Sequence, residues 1–398
     1  MGKLLLENGV LIFPHQILEN GYLYIEDKKI IQIGQGKLDV GSHVERIDVK
    51  GRYISPGFID IHVHGGGGFD FMDGTVAAFL GVSETHVRFG TTALCPTTLT
   101  AEGEHIYTVL DVYKEAFPQN KKGSAWLGMH LEGPYLAMAQ RGAQDPKYIR
   151  DPDVEEYRRI LAYSDDIVRW SAAPELPGAL EFGGYLKERG ILPAIAHTDA
   201  LFDEVVAGYD AGFRLATHFY SAMSTIIRKD AKRYAGAIEA GYYLDGMDVE
   251  IIADGIHVPA PLMKLIYKIK GAERIALVTD AMRGAAMPEG LSVLGRQEDG
   301  LQVLIEEGVA KLPDRSAFAG SVSTANRLVR NYMQLADISL VEAVRMMTET
   351  PARIMGVDST KGSLARHKDA DVVVFDSDIQ VYMTIVEGDV RYIAREEN

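Results

Sequence analysis

The chain has 398 residues, 47% of them hydrophobic and 24% charged, a composition ordinary for a soluble globular protein. That length exceeds one small core and suits a barrel of ~250 residues with a second, smaller module. There are 41 basic and 56 acidic side chains, a net charge of −15, which excludes the basic surface that general nucleic-acid or anionic-membrane binding needs.

A local basic pocket for a small anionic substrate remains compatible with that charge. No apolar run approaches the ~20 residues that span a bilayer. The opening stretch MGKLLLENGVLIFPHQ reads as a strand rather than a signal peptide. Gly2 does not make a myristoylation signal, because position 6 is Leu. The single cysteine, Cys95, excludes an internal disulfide and a thiolate metal cluster. A cytoplasmic location is the resulting expectation.

Residues 1–54 read as short strands: Leu4–Phe13, Gly21–Ile25 and Lys29–Ile33. From about Lys361 the pattern returns, in Ala370–Phe375, Val381–Val386 and Val390–Ala394. Both ends are strand-rich, so a small β-sandwich domain built from 1–54 and 360–398 is expected. The 55–359 segment lies between them. There, eight short apolar runs alternate with helical patterns: Gly57–Gly65, Thr91–Pro96, Gly128–Gly133, Trp170–Pro174, Leu192–His197, Arg214–His218, Glu250–Ala253 and Ala276–Asp280. Helices are expected at Ala77–Phe89, Glu104–Ala116, Val154–Tyr163, Gly178–Arg189, Asp203–Ala211 and Pro261–Lys270. Alternating strands and helices imply βαβ units and a parallel sheet. Eight of them predict an α/β fold of the TIM-like (β/α)8 barrel type; a doubly wound open sheet is the alternative.

In such a barrel the active site lies at the C-terminal strand ends, and the polar residues fall there. His62 and His64 close the first run, Glu132 the third, His197 the fifth, His218 the sixth and Asp280 the eighth. The period of two along a strand puts His62 and His64 on one face. Imidazole with carboxylate suits zinc, iron or a similar divalent ion. A lone His-x-His is more often a packing feature, and any one of these histidines has a structural reading. Four of them with two carboxylates, all at barrel strand ends, need a common reason. Asp280 is the natural proton carrier, since a metal lowers the pKa of its water to about 7 and a nearby carboxylate can pass that proton on. Its bland reading is a turn cap.

Gly65–Gly68 reads either as a phosphate-cradling loop or as a sharp turn, and the turn is expected because no P-loop Lys follows. His257, just past the seventh strand, is a substrate contact or a helix cap. His86, His105 and Cys95 are structural.

The segments PGFIDIHVHG, HLEGPYL, AHTDA, ATHFYSAM, ADGIHV, LVTDAM and FAGS together resemble the N-acetylglucosamine-6-phosphate deacetylases of the amidohydrolase superfamily, from about Gly51 to Gly362. The resemblance implies metal-dependent removal of acetate from N-acetylglucosamine 6-phosphate. It implies Glu132, His197 and His218 at the main metal, His62 and His64 completing a second position, and Asp280 as acid/base. One or two divalent ions per chain are implied, zinc first, with Fe2+ or another ion as alternatives. Ala143, Gln144, Ser221, Ala222, His257, Phe318, Ala319 and Gly320 align with substrate contacts, and a homodimer is implied.

Three departures touch recognition. Gln144 stands where the family usually has His, and Ser221 where it has Asn. The family's phosphate-binding Arg aligns best with Lys229, with Arg228 adjacent. The Ile227–Arg233 stretch carries four cations, and its bland reading is a solvated helix start. Deacetylation of another N-acyl amino sugar, such as N-acetylgalactosamine 6-phosphate, is therefore the alternative. A non-catalytic sugar-phosphate-binding barrel is a third reading. A cyclic-amide hydrolase is disfavoured, because the fourth run ends Ala172-Ala173-Pro174-Glu175 with no lysine to bridge two metals.

Overall fold

The computed structural model describes residues 2–395. All eight apolar runs are parallel strands. They are β1 (Phe58–Val63), β2 (Thr91–Pro96), β3 (Met129–Glu132), β4 (Ile167–Ala172), β5 (Leu192–Ile195), β6 (Leu215–Ala216), β7 (Asp248–Ile251) and β8 (Ile275–Leu277). Ladders join β1 to β2 and β3 through to β8. Single parallel bridges complete the ring: Thr97 with His130 links β2 to β3, and Val63 with Ala281 links β1 to β8. Every residue of these strands is buried except the edge positions Val168 and Leu192, as expected of a parallel sheet covered by helices.

The six expected helices form as α1 (Val76–His86), α2 (Gly103–Ala116), α3 (Val154–Tyr163), α4 (Ala179–Glu188), α5 (Phe202–Ala211) and α7 (Ala260–Lys270). Their starts follow capping chemistry: Thr75 accepts from the Ala78 N–H, and Asp153 from the Glu156 N–H. A short α6 (Ala237–Tyr243) and a twelve-residue α8 (Ala325–Ala336) were not anticipated. Between β8 and α8 a three-stranded antiparallel sheet is inserted, from Gly290–Leu294, Leu301–Glu306 and Val309–Lys311.

Strands from both chain ends share one eight-stranded sheet. At its centre Tyr53–Pro56 pairs in parallel with Lys3–Phe13 and antiparallel with Val372–Phe375. Leu4, Leu11, Leu23, Ile54, Val372, Val374 and Ile385 form its separate buried cluster. Among the described residues no helix is long and apolar enough to cross a membrane.

Candidate metal centre and active site

The strand ends deliver six side chains to one point. His62 and His64 Nε2 lie 3.1 Å apart. Glu132 Oε1 is 3.1 Å from His218 Nε2 and 3.5 Å from both His197 and His62 Nε2. Glu132 Oε2 is 3.4 Å from His64 Nε2. Asp280 Oδ1 completes the cluster, 3.1 Å from His64 and 3.5 Å from His62.

Three of the rings have fixed tautomers. His62 Nδ1 faces a Glu250 carboxylate oxygen at 3.2 Å, His197 Nδ1 the Gln140 carbonyl at 2.8 Å and His218 Nδ1 the Ser221 carbonyl at 3.2 Å. Those partners only accept, so each Nδ1 carries the hydrogen and each Nε2 turns a lone pair inward. Lone pairs converging with a carboxylate at such distances fit a cation. Glu132 with His197 and His218 forms one possible ligand group, and Glu132 with His62 and His64 another. Imidazole and carboxylate donors suit a divalent ion of the zinc or iron type.

The electrostatics agree. Burial opposes ionisation of Glu132, yet the surrounding histidines hold its carboxyl well below the usual range. Asp280 is likewise lowered, by His62 and His64 against the effect of burial. Burial also disfavours a charged His64, but the Asp280 and Glu132 carboxylates outweigh it and lift the ring to about 10. Two ionised, buried carboxylates thus draw positive charge to this point, which a divalent ion would supply in place of protons.

The backbone is bent to present these groups. His197, His218 and Asp280 have φ of 46°, 32° and 46°, in the left-handed region that L residues with bulky side chains avoid. Such strain persists only where the surroundings impose it, and it gathers at functional sites. For Asp280 the restraint is visible. Thr279 donates its Oγ1 and its N–H to the buried Asp60 carboxylate, at 2.5 and 3.2 Å, and Asp60 also accepts from the His62 N–H. Asp60 thus joins the strands that carry Asp280 and His62. Burial pushes its own pKa up to about 7.

Beneath the histidines the barrel interior is polar. Arg169, on β4 and fully buried, pairs with Glu250 of β7 and donates to the Ile61 carbonyl and Thr217 Oγ1. Glu250 in turn orients His62 and accepts from the His218 N–H. Sequence reasoning missed Arg169, Glu250 and Asp60 as supporting groups. The available signal was a charged residue inside an otherwise apolar strand.

Replacing Arg169 with Met should destabilise the protein by about 3–5 kcal/mol, because Glu250 would be left as an unpaired buried charge. Denaturant unfolding at neutral pH measures this. A loss below ~1 kcal/mol, the worth of an exposed pair, would show that the pair is not structurally important.

Above these six side chains lies a cleft of about 540 Å³, within the range of small-molecule sites. Its lining includes His64, Glu132, His197, His218 and Asp280, with Ala143, Gln144, Ser221, Ala222, His257, Phe318 and Gly320. Ala319 is fully buried between the last two. His62 lies below the lining, at 0% exposure. His257 is held by Asp254, 2.6 Å from its Nδ1, and its ring packs on Phe318 at 4.5 Å. Arg141 and Tyr220, which sequence reasoning passed over as contacts, also line the cleft.

Two expected contacts stand elsewhere. Arg228 and Lys229 are exposed and absent from the lining of their own chain's cleft. The stretch is not a helix start but a β-hairpin, Ile227–Lys229 against Lys232–Tyr234. Its turn residues Asp230 and Ala231 have φ of 49° and 64°. At Gly65–Gly68 the turn reading matches the geometry: Gly67 and Gly68 have positive φ, and a Cβ on Gly65 would meet the Phe69 carbonyl oxygen at 2.4 Å. His86 supports that turn by its hydrogen bond to the Gly65 carbonyl.

Residues 53–391 match the amidohydrolase family. The chain is 31% identical to an N-acetylglucosamine-6-phosphate deacetylase of Bacillus subtilis, over 99% of this chain and 98% of that protein. The chain belongs to the N-acetylglucosamine-6-phosphate deacetylase family of amidohydrolases. It is also 33% identical to an N-acetylgalactosamine-6-phosphate deacetylase of Escherichia coli O157:H7, over 84% of this chain and 86% of that one. A Mycobacterium smegmatis family member, solved with bound N-acetyl-D-glucosamine-6-phosphate, superposes with a TM-score of 0.89 at 29% identity, covering 98% of this chain and 100% of that one. As an amidohydrolase this chain is a hydrolase that acts on an amide, and the family's dependence on a divalent metal matches the donor set at its strand ends.

Proposed function

We propose that this chain deacetylates N-acetyl-D-glucosamine 6-phosphate, giving D-glucosamine 6-phosphate and acetate. The observation that carries this reading is the convergence of Glu132, His197, His218 and Asp280 at the floor of the cleft, in a chain aligned end to end with deacetylases of that substrate. The barrel of 55–359 would be the catalytic domain, and 1–54 with 360–398 the β domain, of which Met1 and 396–398 lie outside the described residues. Zn2+ is the ion we assign, Glu132, His197 and His218 would hold it at the main site, and His62 and His64 would complete a second.

A bound divalent ion would polarise the acetyl carbonyl and acidify the attacking water. The chain's own work is positioning and proton transfer. Asp280 accepts the proton from water as its oxygen adds to the carbonyl carbon, then delivers that proton to the amine nitrogen as the C–N bond breaks. Ala143, Gln144, Ser221, Ala222, His257 and the Phe318–Gly320 loop form the walls against the sugar. Exposed Ile226, Ile227, Tyr234 and Tyr243 support a homodimer through this region.

Arg228 and Lys229 stand outside their own chain's cleft, so we assign them to the phosphate in the partner subunit's cleft, across that homodimer. The 6-phosphate should then be preferred over the free sugar in kcat/KM. Removing both cations should cost at least about tenfold of that preference, the worth of one charge-assisted hydrogen bond. Equal kcat/KM on phosphorylated and free N-acetylglucosamine would overturn the phosphate assignment, and absence of acetate release from either would overturn the reading. N-acetylgalactosamine 6-phosphate belongs in the same assay. Identity to a deacetylase of that sugar is as high as to the glucosamine enzymes, and Ser221 replaces the family's Asn where the sugar is read.

A further inference from the structure

Gln144 does more than line the cleft. Its side chain is buried, with 5% exposure. Its amide spans from the end of β2 to the metal cluster. Oε1 accepts from the Thr100 N–H at 2.9 Å and from Thr100 Oγ1 at 3.0 Å. Nε2 donates to Glu132 Oε2 at 2.8 Å. The orientation of the amide is chemically determined. A backbone N–H can only donate, so the oxygen must face Thr100 and the nitrogen must face Glu132.

That hydrogen bond is asymmetric with respect to the two ligand groups. Glu132 Oε1 faces His218, His197 and, at 3.5 Å, His62, whereas Oε2 faces His64 alone among the four rings and receives Gln144. A carboxylate oxygen has two lone pairs. With one taken by the amide, the other is left for an ion on the His62–His64 side. The amide thereby fixes the plane of the carboxylate. We infer that Gln144 is a positioning residue that makes Glu132 bridge, and so sets how tightly the His62–His64 position holds a second ion. This rests on the metal reading proposed above.

The test is titration of metal-free protein with Co2+, followed by absorbance and by metal content after gel filtration. The wild type should bind in two steps. Gln144→Ala and the near-isosteric Gln144→Leu should weaken the second step by roughly tenfold or more, as expected for loss of a hydrogen bond to a charged group, while the first step changes far less. Gln144→His keeps one ring N–H donor and one acceptor, and should restore most of the second step. Loss of loop packing alone would lower the melting temperature of the metal-free protein and weaken both steps alike. Equal weakening of both steps, no change in either, or a single step in the wild type would overturn the inference. Absence of any Co2+ binding by the wild type would overturn the metal reading itself.

Discussion

Glu132→Ala should abolish metal binding at both positions and activity with it. Glu132 is the one side chain common to both ligand groups, with Oε1 toward His197, His218 and His62 and Oε2 toward His64. Its loss leaves two imidazoles at each position, too few donors for a tightly held divalent ion. Changes merely in the partners that orient metal ligands typically cost 10–100-fold in affinity, so loss of a shared ligand should exceed that. The histidines make the contrast. His197→Ala or His218→Ala should empty the main position, whereas His62→Ala or His64→Ala should lower metal stoichiometry more than turnover. Metal content by mass spectrometry beside acetate release measures both. Normal metal and turnover in Glu132→Ala would remove this cluster from the chemistry.

Asp280→Asn should fold, keep its metal and lose roughly 10²–10⁴-fold in kcat, the usual worth of general acid–base help. The amide is isosteric and retains the left-handed turn, which Asn tolerates at least as well as Asp. Its backbone ties, the N–H to the His62 carbonyl and the carbonyl to the Ser321 N–H, are unchanged. What it lacks is a site for the proton. Because the neighbouring histidines hold the Asp280 carboxyl below its usual range, wild-type Asp280 is ionised and ready to accept at neutral pH. Near-wild-type kcat in the variant, with metal content measured alongside, would exclude Asp280 as the base.

The parts legible from sequence are those with local periodicity. Eight buried runs and six amphipathic segments carry their own signal, and the strand ends then place His62, His64, Glu132, His197, His218 and Asp280 in one region. What escaped reading depends on distant partners. Glu250 and His62 are 188 residues apart, and Arg169 and Glu250 are 81 apart. Within its own strand Arg169 or Glu250 looks like a misplaced charge, and only barrel closure connects the two to His62. The same holds for Gln144 and Thr100, which lie on different strand-end loops. The Ile227–Tyr234 hairpin was missed for a different reason. Its strands are three residues long and exposed throughout, so no alternation of burial marked them.

The seam between the chain's two ends bears on how the protein emerges from the ribosome. Tyr53–Pro56 is made early, yet its antiparallel partner Val372–Phe375 comes more than 300 residues later. At typical rates of ~5–20 residues per second, tens of seconds or less separate the two. Throughout that interval the strand offers an open edge, with Ile54 awaiting a cover it will bury against completely. Open edges recruit foreign strands. The barrel's helices and strands are all available before the seam can close, so the β domain is the last part to become safe from aggregation, and nascent chains stalled short of Val372 are where a chaperone would be needed most.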